Sequence, residues 1–71
     1  MMTDSELLRK IIEDRGLKLS KVASTLGISY PALNRKINNK SSFMAQEILK
    51  LCDLLQIKSL KLKEDIFCAR M

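Results

Sequence analysis

Apolar residues recur every three or four positions along most of the chain, which is the spacing of amphipathic helices. The first apolar stripe predicts a helix over residues 4–15 and consists of Leu7, Leu8, Ile11 and Ile12. The T-x-x-E spacing of Thr3 and Glu6 predicts a capping box at its start. Gly16 follows the last turn, where a left-handed residue is expected to end the helix.

Two short helices are predicted next, over residues 19–26 and from about residue 30 to 37. The first has no good N-cap and is expected to bury Val22, Ala23 and Leu26. Gly27 ends it, and Ser29 is a good N-cap for the second helix, which has Pro31 in its first turn. Leu33 and Ile37 give this second helix its inward face, and the polar residues 38–42 are predicted to form a loop.

A fourth helix is predicted over residues 45–55, with an apolar stripe of Ile48, Leu51, Cys52 and Leu55. The tail contains a short helical candidate over residues 63–67. Its apolar residues either close the core or form a dimer seam, and they are Leu60, Leu62, Ile66 and Phe67. No segment alternates with a period of two, so we expect an all-α fold of four to five helices. The whole chain, residues 1–71, is expected to be one domain, with a core over 4–57 and an extension over 58–71.

Charge is unevenly distributed along this basic chain. The formal net charge is +5, yet no Asp or Glu occurs between Arg15 and Gln46. The only charged residues in that segment are Arg15, Lys18, Lys21, Arg35, Lys36 and Lys40. A surface cleared of negative charge is what a phosphate-facing interface requires, so the pattern favours nucleic-acid binding.

Composition excludes several other kinds of protein. There is no His and no CxxC pair, so we expect no metal site and no cofactor. The two thiols and the missing signal peptide favour a reducing cytosol, and no apolar run is long enough to span a membrane. An enzyme is not expected, because the sequence offers no nucleophile–base pair and no Gly-rich phosphate loop.

The segment 19–38 has the features of a helix-turn-helix and reads LSKVASTLGISYPALNRKIN. Ala23 is small where two crossing helices approach each other, and Gly27 tolerates positive φ in the turn. Ile28 fills the corner, and Leu33 holds the second helix against the first. The segment resembles the helix-turn-helix of the lambda-repressor-like family, the Cro and phage-repressor (Xre) type, over residues 7–57. The sequences NRKINNKSSF and IFCAR are similar to small prophage regulators of low-GC Gram-positive bacteria.

This resemblance implies that the third helix enters the major groove of duplex DNA. The residues at the family's base-reading positions are Tyr30, Pro31, Asn34 and Arg35. The residues at its phosphate-contacting positions are Ser20, Lys21, Asn39, Lys40 and Ser41, and the charge pattern adds Lys36. For each of these residues a role on the surface or at the helix junction, without DNA, is the alternative.

The chain departs from the family pattern at three positions. Leu19 stands where the family often has a phosphate-binding Gln, which puts that contact in doubt. Pro31 replaces a common hydrogen-bonding residue, so readout there can only be apolar. Lys36 stands where an inward apolar residue is frequent, and Ile37 is expected to take over its packing.

The resemblance implies a sequence-specific transcriptional regulator of the bacterial cytoplasm, bound to a near-palindromic operator, with homodimerisation at least on DNA. With no second domain expected, a Cro-like or short repressor is favoured over an inducible one. One alternative is the antitoxin of a toxin–antitoxin pair, whose apolar tail would bind the toxin. Another is a helix-turn-helix module used only for protein contacts.

Overall fold

A computed structural model describes residues 2–68 of the chain, and they form five helices. The helices are α1 (Ser5–Asp14), α2 (Leu19–Leu26), α3 (Tyr30–Ile37), α4 (Ala45–Leu54) and α5 (Leu60–Phe67). No β-strand lies among residues 2–68. The predicted all-α class is therefore confirmed, with five helices.

Helix α1 begins differently from the sequence prediction. Asp4 is its N-cap, and the Asp4 carboxylate accepts the Leu7 N–H at 3.0 Å. The predicted capping box between Thr3 and Glu6 is wrong, because the Thr3 N–H donates instead to Asn39 Oδ1 at 2.8 Å. Gly16 follows the helix with φ of +70°, as expected for a left-handed residue that ends a helix.

The turn between α2 and α3 agrees with its local signals. Gly27 ends α2 with φ of 73°, and the Ile28 N–H donates to the Ala23 carbonyl at 3.0 Å. Ser29 then caps α3, since its hydroxyl accepts the Ala32 N–H at 3.2 Å. The predicted bounds of α2 are confirmed, and its N-cap residue Lys18 makes no side-chain cap bond among residues 2–68.

One hydrophobic core joins all five helices. The helices contribute Leu8, Ile11, Ile12, Val22, Ala23, Leu26, Leu33, Ile37, Leu51, Cys52, Ile66 and Phe67, and the segments between them add Phe43, Leu55 and Ile57. Burial raises the pKa of the Cys52 thiol, and the charge of Lys63 offsets only part of that rise. The core therefore includes the inward faces of both helices of the predicted helix-turn-helix.

Helix α5 is longer than predicted and completes this core. It begins at Leu60 rather than residue 63, because the Ser59 hydroxyl caps it by accepting the Leu62 N–H at 3.3 Å. Ile66 and Phe67 are buried, and the Phe67 ring packs edge-on against Phe43 at 5.7 Å. The tail was expected either to close the core or to form a dimer seam. Ile66 and Phe67 close the core, whereas Leu60 remains 71% exposed.

An ion pair joins α3 to α4. Lys36 Nζ lies 2.6 Å from Glu47 Oε1, with both side chains largely buried, and the same oxygen accepts the Met44 N–H at 2.8 Å. Burial by itself raises the pKa of the Glu47 carboxyl. The bonds from Lys36 and Met44, together with the charges of Lys36 and Lys50, outweigh burial and leave that pKa below its ordinary value. One carboxylate therefore caps α4 and holds the carboxyl-terminal half of α3.

Replacing Glu47 with Gln should lower the free energy of unfolding at pH 7 by about 1–3 kcal/mol, because it leaves the nearly buried Lys36 ammonium without its counter-charge. The lowered pKa means that the contribution of Glu47 is complete above the ordinary pKa and is lost as pH falls through the folded-state pKa. The difference between parent and variant should therefore shrink below about pH 4.3. Urea unfolding at a series of pH values measures this difference.

The matched control is Asp65→Asn, which removes the exposed pair of Lys61 and Asp65 at 3.9 Å. Its effect should stay within about 0.5 kcal/mol. A Glu47→Gln variant as stable as the parent at pH 7 would show that the pair does not hold α3 on α4.

Candidate nucleic-acid interface

Helix α3 turns one side inward and leaves the other exposed. Leu33 and Ile37 are buried, while Tyr30 is 48% exposed and Pro31 and Arg35 are exposed. Asn34 lies half-buried beside them. The four residues predicted to read bases therefore lie away from the core, at the start and on the outer side of α3.

Pro31 and Arg35 are four positions apart, so they share one face of α3. No hydrogen bond or ion pair within residues 2–68 engages the Arg35 guanidinium. Its five N–H donors are therefore open to an external acceptor. Pro31, in the first turn, offers only apolar atoms on the same face.

The start of α2 forms a second part of the surface. Ser20 and Lys21 are exposed in its first turn, and the N-cap residue Lys18 supplies no side-chain acceptor. Helix N–H groups without a cap, at the positive end of the helix dipole, favour an anion. The lack of a good N-cap residue made the start of α2 hard to predict from the sequence. The same lack leaves the helix start suited to a phosphate.

The loop after α3 forms the third part. The N–H groups of Lys40 and Ser41 both donate to the Arg35 carbonyl, at 2.8 and 3.3 Å. These bonds fold the chain tightly around the end of α3 and leave both side chains exposed. The loop therefore presents a cation next to the outer face of α3.

Two of the six cations in the acid-free segment have roles inside the fold. Arg15 Nε donates to the Leu55 carbonyl at 2.9 Å, and Lys36 is paired with Glu47. The remaining four are exposed: Lys18, Lys21, Arg35 and Lys40. The structure thus places Lys36, predicted to contact phosphate, on the inner side of α3 with its charge already compensated.

Asn39 also has a partner within the fold. Its carboxamide accepts the Thr3 N–H at 2.8 Å and donates to the Thr3 carbonyl at 2.9 Å. The carboxamide oxygen and one of its two N–H groups are therefore engaged by backbone, and the second N–H of this exposed side chain has no partner within residues 2–68.

Lys18 received no role in the sequence analysis, although it lies in the acid-free segment. The structure places it exposed at the start of α2, directly before Leu19 and Ser20. The sequence signal for including Lys18 among the candidate phosphate contacts was its place in the acid-free segment, directly before a predicted helix.

No group of three His, Cys, Asp or Glu side chains within residues 2–68 could hold a metal ion. None of the helices in that part of the chain is long and apolar enough to cross a membrane.

Comparisons with known proteins were made for families, curated proteins and solved structures. Neither the curated proteins nor the solved structures gave a match. Among families, residues 7–60 match the Cro/C1-type HTH DNA-binding domain. The match covers about three quarters of the chain, from α1 to the first residue of α5, and includes the exposed face of α3. The chain therefore belongs to the Cro/C1-type family of helix-turn-helix DNA-binding domains.

Proposed function

We propose that this protein is a sequence-specific transcriptional regulator that reads operator DNA in the major groove with α3. The observation that carries the proposal is the outer face of α3, where Arg35 has no side-chain partner within residues 2–68 and is exposed on the same side as Pro31, with Tyr30 exposed at the start of the helix. A major groove about 12 Å wide admits a single helix in this orientation. Arg35 donates two bonds to guanine O6 and N7, and Asn34 pairs with adenine.

Spacing along α3 sets the expected arrangement of the bases. Four residues of helix advance about 6 Å, and base pairs are about 3.4 Å apart. For a helix lying along the groove, Pro31 and Arg35 contact positions about two base-pair steps apart. The only apolar group on the major-groove edge is the thymine methyl group, so Pro31 favours a thymine at that distance from the guanine.

Phosphate contacts flank the base-reading face on two sides. Lys18, Ser20 and Lys21 hold one strand at the start of α2, and Lys40 and Ser41 hold the backbone near the end of α3. Lys36 is left out of this set because its ammonium is paired with Glu47, and Asn39 because its carboxamide oxygen and one N–H are bonded to Thr3.

A single module of this size covers roughly 600–1,000 Å² of interface. Tight binding therefore requires two copies on a near-palindromic operator, with half-sites about 34 Å apart. We propose a Cro-like regulator of prophage type, which represses by excluding polymerase from the operator. It acts in the bacterial cytoplasm and by binding alone, without catalysis.

Selection from random DNA duplexes at one fixed salt concentration tests the function directly. A regulator of this kind should enrich one motif, and repeated half-sites in that motif would reveal two copies. Binding that stays equal for all duplexes would refute the proposal and favour a helix-turn-helix used for protein contacts.

Arg35→Ala should lower affinity for the selected duplex by about 1–3 kcal/mol and flatten the preference at one base pair. The reason is the loss of a bidentate bond to guanine. Titration of the selected duplex and its single-base variants measures both effects. Lys61→Ala is the control, since it removes an exposed cation on α5. Equal base preference in the Arg35 variant and the parent would remove Arg35 from the reading set.

Lys40→Ala should weaken binding to all duplexes by a similar factor and reduce the slope of log affinity against log salt by about one. A phosphate contact carries no sequence information, so the base preference should stay as in the parent. Filter binding between about 50 and 200 mM salt gives the slope. An unchanged slope would show that Lys40 contacts no phosphate.

Replacing the thymine opposite Pro31 with deoxyuridine should lower affinity severalfold, because it removes only the 5-methyl group. The same replacement elsewhere in the duplex is the control. Pro31→Ser should abolish the difference between thymine and deoxyuridine. If no thymine in the selected motif shows methyl dependence, Pro31 makes no base contact.

A further inference from the structure

The carboxyl end of α3 is tied to the start of the chain by three consecutive residues. The Ser5 hydroxyl donates to the Ile37 carbonyl, and Arg9 Nη2 donates to Asn38 Oδ1 at 3.0 Å. The third tie is the pair of bonds between Asn39 and Thr3. We call these contacts from Thr3, Ser5 and Arg9 the amino-terminal clasp.

Asn39 makes two of the four hydrogen bonds in the amino-terminal clasp. Its φ is +64°, a left-handed conformation that Asn adopts more readily than most residues. Its backbone N–H donates to the Lys36 carbonyl at 3.2 Å and ends the helix. Its carboxamide pairs with both backbone groups of Thr3, as a neighbouring strand would. One residue thus ends α3 and fastens that end to a remote segment.

The clasp is itself braced from the opposite side. The Asp4 N–H, between two clasp residues, donates to the Ile66 carbonyl in α5 at 2.7 Å. Ile66 is fully buried in the core. The segment that holds α3 is therefore fixed to the core rather than free to follow α3.

Helix α3 needs such external support. It has eight residues, and only Leu33 and Ile37 are buried. Helices of this length are marginal on their own. Base-reading side chains lose their contacts when the supporting element shifts by about 1 Å. Arg35 lies in the last turn of α3, next to the residues that the clasp holds. The placement of its guanidinium therefore depends on the clasp more than that of the other base-reading side chains.

We propose that Asn39 is a positioning residue for base recognition, acting through the clasp rather than through a phosphate contact. This inference rests on the proposed function, since it explains how α3 is held in register for reading. Loss of the clasp lets the end of α3 move, so the bond from Arg35 to a specific base weakens. Binding through exposed lysines tolerates that motion, because phosphate contacts are less demanding in geometry.

The test variant is Asn39→Gly, which keeps the left-handed backbone and removes only the carboxamide. The chain offers a matched control in Gln56→Gly. Gln56 follows α4 with φ of +57°, and its N–H donates three residues back to Asp53, just as that of Asn39 donates to Lys36. No side-chain bond of Gln56 is present within residues 2–68. Ser5→Ala, which removes another clasp bond, is the second variant.

Affinity is measured for the selected duplex and for an unrelated duplex of the same length, at one salt concentration and well below the melting temperature. Asn39→Gly should lower affinity for the selected duplex about tenfold and for the unrelated duplex less than about twofold. Gln56→Gly should change neither affinity, and Ser5→Ala should follow Asn39→Gly. Amide hydrogen exchange at residues 38–41 should accelerate in the two clasp variants only.

The outcomes separate the two proposals. If the parent protein binds both duplexes equally, the proposed function is refuted, and so is the positioning role that rests on it. A selective parent with an equal loss on both duplexes in Asn39→Gly would show that Asn39 is a phosphate contact. Unchanged affinities, or faster exchange with selectivity preserved, would show that the clasp is structural only.

Discussion

The structure depends on how an eight-residue helix is held when one of its sides must stay in solvent. The inner side of α3 buries only Leu33 and Ile37, which is a small apolar area for a helix that has to be rigid. The remaining support is polar and comes from both ends. Ser29 caps the start, whereas Glu47 and the amino-terminal clasp hold the end.

Charge is divided between the inside and the outside of this arrangement. Glu47 ends the acid-free segment, and its carboxylate faces inward on Lys36 rather than outward. It therefore supplies the counter-charge that a nearly buried ammonium needs, without placing negative charge on the outer face of α3. Arg15 is likewise used on a carbonyl. Of the six cations in that segment, four have no side-chain partner within residues 2–68, so a simple count of basic residues overstates the set proposed to bind phosphate.

Local signals predicted the parts of the fold that depend on neighbouring residues. Gly27 and Ser29 fixed the turn between α2 and α3, because positive φ and a hydroxyl cap are properties of single residues. The error at the start of α1 was a choice between adjacent cap residues, Thr3 and Asp4. It was decided by Asn39, which lies 36 positions away and engages the Thr3 N–H. The start of α5 at Leu60 was missed although a local signal was present, because Ser59 is a normal N-cap residue.

The candidate site was predictable in one respect and not in another. Helical spacing shows that Arg35 lies opposite Leu33 and Ile37, so its exposure follows from periodicity. The inward turn of Lys36 does not, because it depends on a carboxylate from another helix. The same holds for Asn39, whose amide could equally reach solvent. Polar side chains with two possible environments are settled by tertiary contacts that a single sequence does not show.

Burial of Cys52 in α4 has a practical consequence for studying the fold. Thiolates are the reactive form of cysteine, and the raised pKa and the packed surroundings of Cys52 suppress that form. Alkylation of this sulfur is therefore expected to be slow in the folded protein and to accelerate when α4 separates from its neighbours. Its modification rate therefore reports transient opening of the protein interior around α4.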